Sequence, residues 1–244
     1  MIVRTLLTAY TSGAFECRTF GSECNGAFAQ YAKAASTEVY AMNAPRWTDV
    51  ELGSMPCAFS TAENMCHRAG VSPGEAVVVT GAGGGVGAAT VQLCKKRSAR
   101  AIAVASREKR EYLLSLGADE VIPRGESIVG KAGKLAVEVV LDVVAGPAFP
   151  ELLDVLKKGG RYATAGAIAG PMVELDVRAL YLKGLSLFGC TYQAEEVFAN
   201  LVGYIEREEI KPQVGQGFTL KDIKRAQEVF QEKTSSGKLV LEID

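Results

Sequence analysis

Residues 76–94 read AVVVTGAGGGVGAATVQLC. A β-branched apolar run ends at Thr80, five glycines fall within positions 81–87, and a helical pattern starts near Val86. Such a run is the mark of a strand buried on both faces. Glycine tolerates positive φ and lets another group approach the backbone. The first turn of a helix presents N–H groups without intrahelical partners, together with the positive end of the helix dipole. Strand, glycine turn and helix start, in that order, make a cradle for a pyrophosphate. The spacing Gly83-x-Gly85-x-x-Ala88 fits the dinucleotide pattern, whose last position accepts alanine. No Gly-Lys-Ser/Thr follows, which disfavours a P-loop. The bland alternative is a tight strand-to-helix turn that binds nothing.

Strand and helix patterns alternate on both sides of this stretch. AIAVA (101–105), EVI (120–122), VEVVLDVV (137–144), GRYATAG (160–166) and LSLFG (185–189) predict further strands. VGAATVQLCKKRS, REKREYLLSLG and AFPELLDVLKKGG predict the helices between them, the last stopped by Gly159. The expected fold is α/β: a Rossmann-type doubly wound parallel sheet with helices on both faces. The flanks differ. Residues 27–41 suggest two short strands, and 49–70 a helix broken near Pro56. AEEVFANLVGYIERE (194–208) and LKDIKRAQEVFQEK (220–233) suggest amphipathic helices, and LVLEI (239–243) a closing strand. A smaller β-rich lobe assembled from both chain ends is expected. The expected organisation is an unassigned lead segment (1–21), a remnant lobe (22–55 and 213–244) and a dinucleotide-binding domain (56–212).

Composition narrows the function. Lys plus Arg is 27 and Asp plus Glu is 28, a net charge of -1, without the basic footprint of a nucleic-acid binder. No apolar run approaches the roughly 18 residues of a membrane span, and the opening MIVRTLLTAYTSG makes a poor signal peptide. Six dispersed cysteines with no CxxC pair suit reduced thiols and a cytoplasmic setting. A single histidine, His67, argues against a histidine-rich metal site or a Ser-His-Asp triad.

The second strand bears on the cofactor. An NAD site places Asp or Glu about 20 residues beyond the glycines, for the ribose hydroxyls. Here AIAVA runs into Ser106-Arg107-Glu108-Lys109-Arg110. A hydroxyl and several cations suit a 2′-phosphate, which takes charge-assisted donors. The alternative is a solvated basic first turn, but cations are disfavoured at a helix N-terminus. NADP(H) is therefore favoured over NAD(H).

With these residues in view, the chain resembles the medium-chain dehydrogenase/reductase superfamily, in particular its zinc-type alcohol dehydrogenase-like and quinone oxidoreductase-like members. The resemblance runs from about residue 22 to the C-terminus. It rests on the glycine turn and the stretch to EVI, then on LDVVAGPAF, LKKGGRYATAGAIAGP, LSLFGCT and GKLVLEI, and on GAFAQYAKA (26–34), which resembles a segment of the family's catalytic lobe. It implies that Gly84, Gly85 and Val86 cradle the pyrophosphate, beside Gly83 of the spacing motif. Ser106, Arg107 and Lys109, with Arg124 nearby, would surround the 2′-phosphate. Val143, Ala165 and Gly166 would line the nicotinamide side, Phe188, Gly189 and Cys190 would offer backbone groups to it, and Thr61 would touch its end.

The same resemblance implies that most of a GroES-like catalytic lobe, with two of its zinc ligands, lacks a counterpart here. Cys57 stands at the family's third zinc-ligand position without partners, so zinc is not expected and a buried thiol is the favoured reading. His67 reads as a helix-end or surface residue, and Cys94 and Cys190 as small core residues. Hydride transfer to a carbonyl, enone or quinone needs no zinc in principle. Tyr192 is the nearest phenol and the candidate proton donor, an aromatic wall being its other role. The competing reading is a nucleotide-binding form without turnover. A homodimer through the LSLFGCT edge is a further expectation.

Overall fold

The computed structural model describes residues 1–11, 14–232 and 237–243. They group into two compact units, one of residues 61–190 and one of residues 1–60 with 191–244.

The 61–190 unit is built on a parallel sheet. Its strands are β5 (Ala76–Val79), β6 (Arg100–Ala105), β7 (Glu120–Pro123), β8 (Val137–Asp142), β9 (Leu156–Thr164) and β10 (Ser186–Gly189), in the spatial order β10-β9-β8-β5-β6-β7. Every pairing is parallel. The order reverses between β5 and β8, which defines the doubly wound Rossmann arrangement. Val77, Val78, Val79, Val139, Val140 and Leu141 are buried, as continuous apolar runs in a covered sheet require. The connecting helices include α3 (Gly85–Lys96), α4 (Arg110–Ser115), α5 (Ile128–Ala132), α6 (Phe149–Val155) and α7 (Val177–Lys183). Phe149, Leu152, Leu153 and Val155 of α6 pack with Val78, Ile102, Val140 and Tyr162 into one core.

One predicted helix is shorter than expected. It ends at Val155, not at Gly159, and the chain enters β9 at Leu156. Leu156 is fully buried and pairs with Val137, while the next β8 partner, Val139, pairs with Arg161. Residues 157–160 bulge from the ladder between these pairs, and Gly159 supplies their positive φ of 75°. Burying Leu156 in the sheet outweighs the helical preference of the lysines behind it.

The other unit contains β1 (Ile2–Val3) paired antiparallel with β4 (Val39–Tyr40), and a hairpin of β2 (Leu6–Thr11) and β3 (Ala14–Thr19). It also holds a parallel pair of β11 (Val214–Thr219) and β12 (Lys238–Glu242), with helices α1 (Asp49–Ser54), α8 (Glu195–Glu206) and α9 (Ile223–Glu232). The lead segment is thus strand-forming. Residues 27–41 do not form two strands: only Val39–Tyr40 pair, behind a 3-10 turn at Ser36–Glu38. Phe28 and Tyr31 are 70% and 92% exposed, so the apolar positions of that pattern have no layer to pack on. Within this unit the rings of Tyr40 and Phe198 lie 4.8 Å apart, and Trp47 donates to the Ile205 carbonyl at 3.2 Å. Residue 233, the last of the second amphipathic pattern, lies outside the described residues. Helix α2 (Pro56–Arg68) follows the break at Met55 and carries the boundary between the units, after Ser60.

Candidate functional site

The carboxyl ends of β5 and β8 meet where the strand order reverses, and a buried polar network ties them together. Asp142 is fully buried and accepts hydrogen bonds from the Thr80 and Tyr162 hydroxyls. It also accepts from the Val144 N–H at 2.8 Å and the Ala145 N–H at 3.0 Å. Thr80 Oγ1 in turn accepts from the Val143 N–H at 3.2 Å. Burial, then the neighbouring carboxylate, hold the Tyr162 phenol far above its ordinary pKa, so it stays a donor. Ala145 has a φ of 54°, unfavourable for a residue with a Cβ, and its bond to Asp142 helps to hold it there. Spacing gave no sign of this network. Its signal is the pair of polar residues, Thr80 and Asp142, at the ends of two mostly apolar runs.

The glycine turn sits directly above. Gly81 has a φ of 58°, and a Cβ there would lie 2.8 Å from Val143 Cγ2. A Cβ on Gly87 would lie 2.3 Å from the Gly81 carbonyl oxygen and 2.6 Å from Ala82 Cα. Gly84 is the N-cap of α3, with no side-chain cap, and its carbonyl accepts the first helical bond from the Ala88 N–H at 2.9 Å. The amides of Gly85, Val86 and Gly87 therefore precede the helix's own ladder. Spacing singled out Gly83, Gly85 and Ala88; in the structure Gly87 is crowded by backbone, Gly81 by the Val143 and Val144 side chains and Gly83 by the Lys109 side chain. Glycines at which a Cβ would be crowded and an uncapped helix start suit a pyrophosphate lying against bare backbone.

The basic cluster is held beside this turn. Ser106 caps a 3-10 turn, Arg107–Lys109, at the end of β6. Lys109 Nζ donates to the Gly83 carbonyl at 2.9 Å, and its Cδ occupies the space a Cβ on Gly83 would need. Partial burial pulls the Lys109 ammonium below the ordinary lysine range. The Arg107 guanidinium is paired with Glu126. The Arg124 N–H donates to the Ala105 carbonyl at 2.6 Å, which sets Arg124 beside the end of β6. Glu108 lies within the same turn, and its carboxylate offsets part of the cluster's positive charge. Its own amide and Ser106, then Arg124 and Arg107, hold its carboxyl below the usual range.

Across the reversal point, Val143, Ala165 and Gly166 come together. The Ala165 N–H donates to the Asp142 carbonyl at 3.2 Å, and a Cβ on Gly166 would lie 3.0 Å from the Val143 carbonyl oxygen. Phe188 and Gly189 end the edge strand β10, with open space where a Gly189 Cβ would point. Cys190 differs from expectation. Its N–H donates to Thr164 at 2.8 Å and its carbonyl accepts from Asn64 Nδ2 at 3.2 Å, so its backbone bonds are made inside the protein. Burial pushes its thiol up to about 11. Thr61 is half-buried on α2, and Tyr192 is half-buried in the other unit.

Cys57 is exposed rather than buried, as is His67. They stand ten helical residues apart on α2, about 15 Å along the axis. Catalytic zinc takes three protein ligands, and among the described residues no three His, Cys, Asp or Glu side chains gather to hold a metal. The described residues do not fit a zinc centre. Cys66 and Cys94 are buried core thiols; the hydrogen bond between them, with burial, holds Cys94 far above the usual thiol range. No helix among the described residues is long and apolar enough to cross a membrane.

Sheet order and the glycine turn after β5 define a Rossmann-type fold. Residues 85–207 match the family described as zinc-binding dehydrogenase. The chain belongs to that family, within the medium-chain dehydrogenase/reductase superfamily. It is 29% identical over 224 residues to the acryloyl-coenzyme A reductase of Metallosphaera sedula, covering 91% of this chain and 67% of that protein. It is 29% identical over 236 residues to the quinone oxidoreductase of Rattus norvegicus, covering 90% and 70%. A solved Sinorhizobium meliloti 1021 protein assigned as an alcohol dehydrogenase superposes with a TM-score of 0.91 at 40% identity, covering 99% of this chain and 68% of that one. The 2-octenoyl-CoA carboxylase reductase CinF, solved with NADP and 2-octenoyl-CoA, superposes at 0.85 with 25% identity, covering 92% and 57%.

Proposed function

We propose that this oxidoreductase uses NADP(H) and transfers hydride between the nicotinamide and a carbonyl, enone or quinone. The observation that carries the cofactor assignment is Lys109: its ammonium rests on the carbonyl of Gly83, inside the glycine turn, at the head of a basic corner. Gly84, Gly85 and Val86 would hold the pyrophosphate with backbone amides. Ser106, Arg107, Lys109 and Arg124 would take the 2′-phosphate. Val143, Ala165 and Gly166, with Thr61, Phe188 and Gly189, would wall the nicotinamide, while the Asp142 network keeps the ends of β5, β8 and β9 in register. When bound, the cofactor supplies the hydride. Tyr192 is the candidate donor of the accompanying proton, and solvent can serve an enone or quinone as well. The acryloyl-CoA reductase and quinone oxidoreductase likenesses support an activated double bond or quinone as acceptor. We further take the protein to be cytoplasmic, and β10, where Leu187 is exposed at the sheet edge, to be where two copies would pair.

The alternative reading is a protein that binds NADP(H) without turnover. NADPH oxidation assayed against a panel of enones, quinones and aldehydes separates the two. Turnover with enones or quinones is expected. Tight NADPH binding with no oxidation of any acceptor would establish the second reading.

A further inference from the structure

The turn beyond β7 faces the turn beyond β6. Ala105 pairs with Pro123, and the Arg124 N–H donates to Ala105, so residues 123–126 and 106–109 emerge side by side. The 123–126 turn is closed by the Glu126 N–H bond to Pro123 at 3.0 Å, with Gly125 at a φ of 94°. Glu126 stands between two cations, pairing with Arg107 and with Lys131 at 3.1 Å. Its side chain is 27% exposed, against 74% for Arg107 and 54% for Lys131. It is the least exposed member of the triad, and Arg107 the most exposed.

Resting on the NADP(H) reading above, we propose that Glu126 is a specificity-determining counter-ion: it holds Arg107 in the free protein and competes with the 2′-phosphate for the guanidinium. An exposed carboxylate–guanidinium pair is weak. A phosphate carries close to two charges and three acceptor oxygens, and takes arginine in a bidentate grip. The phosphate therefore displaces Glu126, which stays neutralised by Lys131. A cofactor with a plain 2′-hydroxyl has nothing to offer Arg107 and leaves the pair intact. Glu126 thus weakens binding of the phosphorylated cofactor selectively, and sets how far NADPH is preferred over NADH.

Calorimetric titration of the Glu126→Gln protein with NADPH, NADH and adenosine 2′,5′-bisphosphate tests this. The two phosphorylated ligands should bind about two- to five-fold tighter than to the unaltered protein, the scale of one exposed ion pair. NADH should be unchanged. The gain should shrink at high salt and vanish when Arg107→Ala is added. Unchanged NADPH affinity, or equal gains for NADPH and NADH, would overturn the role of Glu126 while an NADPH-selective loss in Arg107→Ala keeps the cofactor reading. Equal losses of NADPH and NADH in Arg107→Ala would overturn both.

Discussion

Single atoms decide what can occupy the glycine turn. At Gly87 the added Cβ would meet backbone, 2.3 Å from a carbonyl oxygen, and backbone cannot swing aside as a side-chain tip can. Gly87→Ala should therefore destabilise the protein by about 2–3 kcal/mol, a typical overpacking cost. At Gly84 the nearest atom is 3.4 Å away and φ is negative. Gly84→Ala should cost no more than about 1 kcal/mol, the scale of an N-cap change. Urea unfolding of the two variants measures the difference; equal stabilities would contradict the packing described. The sequence shows five glycines but not which are crowded, because crowding depends on where Gly81 and Val143 stand in space. A motif count therefore finds the turn and includes Gly83, but misses Gly87, the position crowded by backbone. The basic residues were legible because side-chain charge is written in the sequence. The pairing of Arg107 with Glu126, from another loop, was not.

Elements hold the cradle in place. Helix α3 presents its N-terminus to the site, and its other end is tied to α2. Both oxygens of the fully buried Glu63 carboxylate accept from Arg97 Nη2 at 2.7 Å. Removing one partner of a buried pair leaves an uncompensated charge, at a cost of about 3–5 kcal/mol. Arg97→Met should lower unfolding stability by that order, and Glu63→Gln by less, as read from urea midpoints. A loss below about 1 kcal/mol for Arg97→Met would show that the pair does not anchor the helix. The strands were legible as continuous apolar runs, and most helices as amphipathic stretches between them. Two readings gave way to tertiary context. Leu156 left a good helical pattern because the sheet buries it, and residues 27–41 carried a strand-like pattern with no sheet beneath Phe28 and Tyr31.

At the level of the whole molecule, alternation of strand and helix was enough to define a parallel doubly wound sheet, and the reversal between β5 and β8 places the site. The grouping of residues 191–212 with the other unit was not legible: α8 carries an ordinary amphipathic pattern that states what it buries, not against which layer. We propose that this fold binds a nicotinamide dinucleotide at the turn after β5 and reads its 2′-phosphate at the corner after β6. Calorimetric titration of the unaltered protein and of an Arg107→Ala, Lys109→Ala double variant, with NADPH and NADH in parallel, tests it most directly. The unaltered protein should prefer NADPH. The double variant should lose at least about ten-fold in NADPH affinity, the scale of one or two charge-assisted bonds, and bind NADH nearly as before. Equal losses for the two cofactors, or no binding of either by the folded protein, would contradict it.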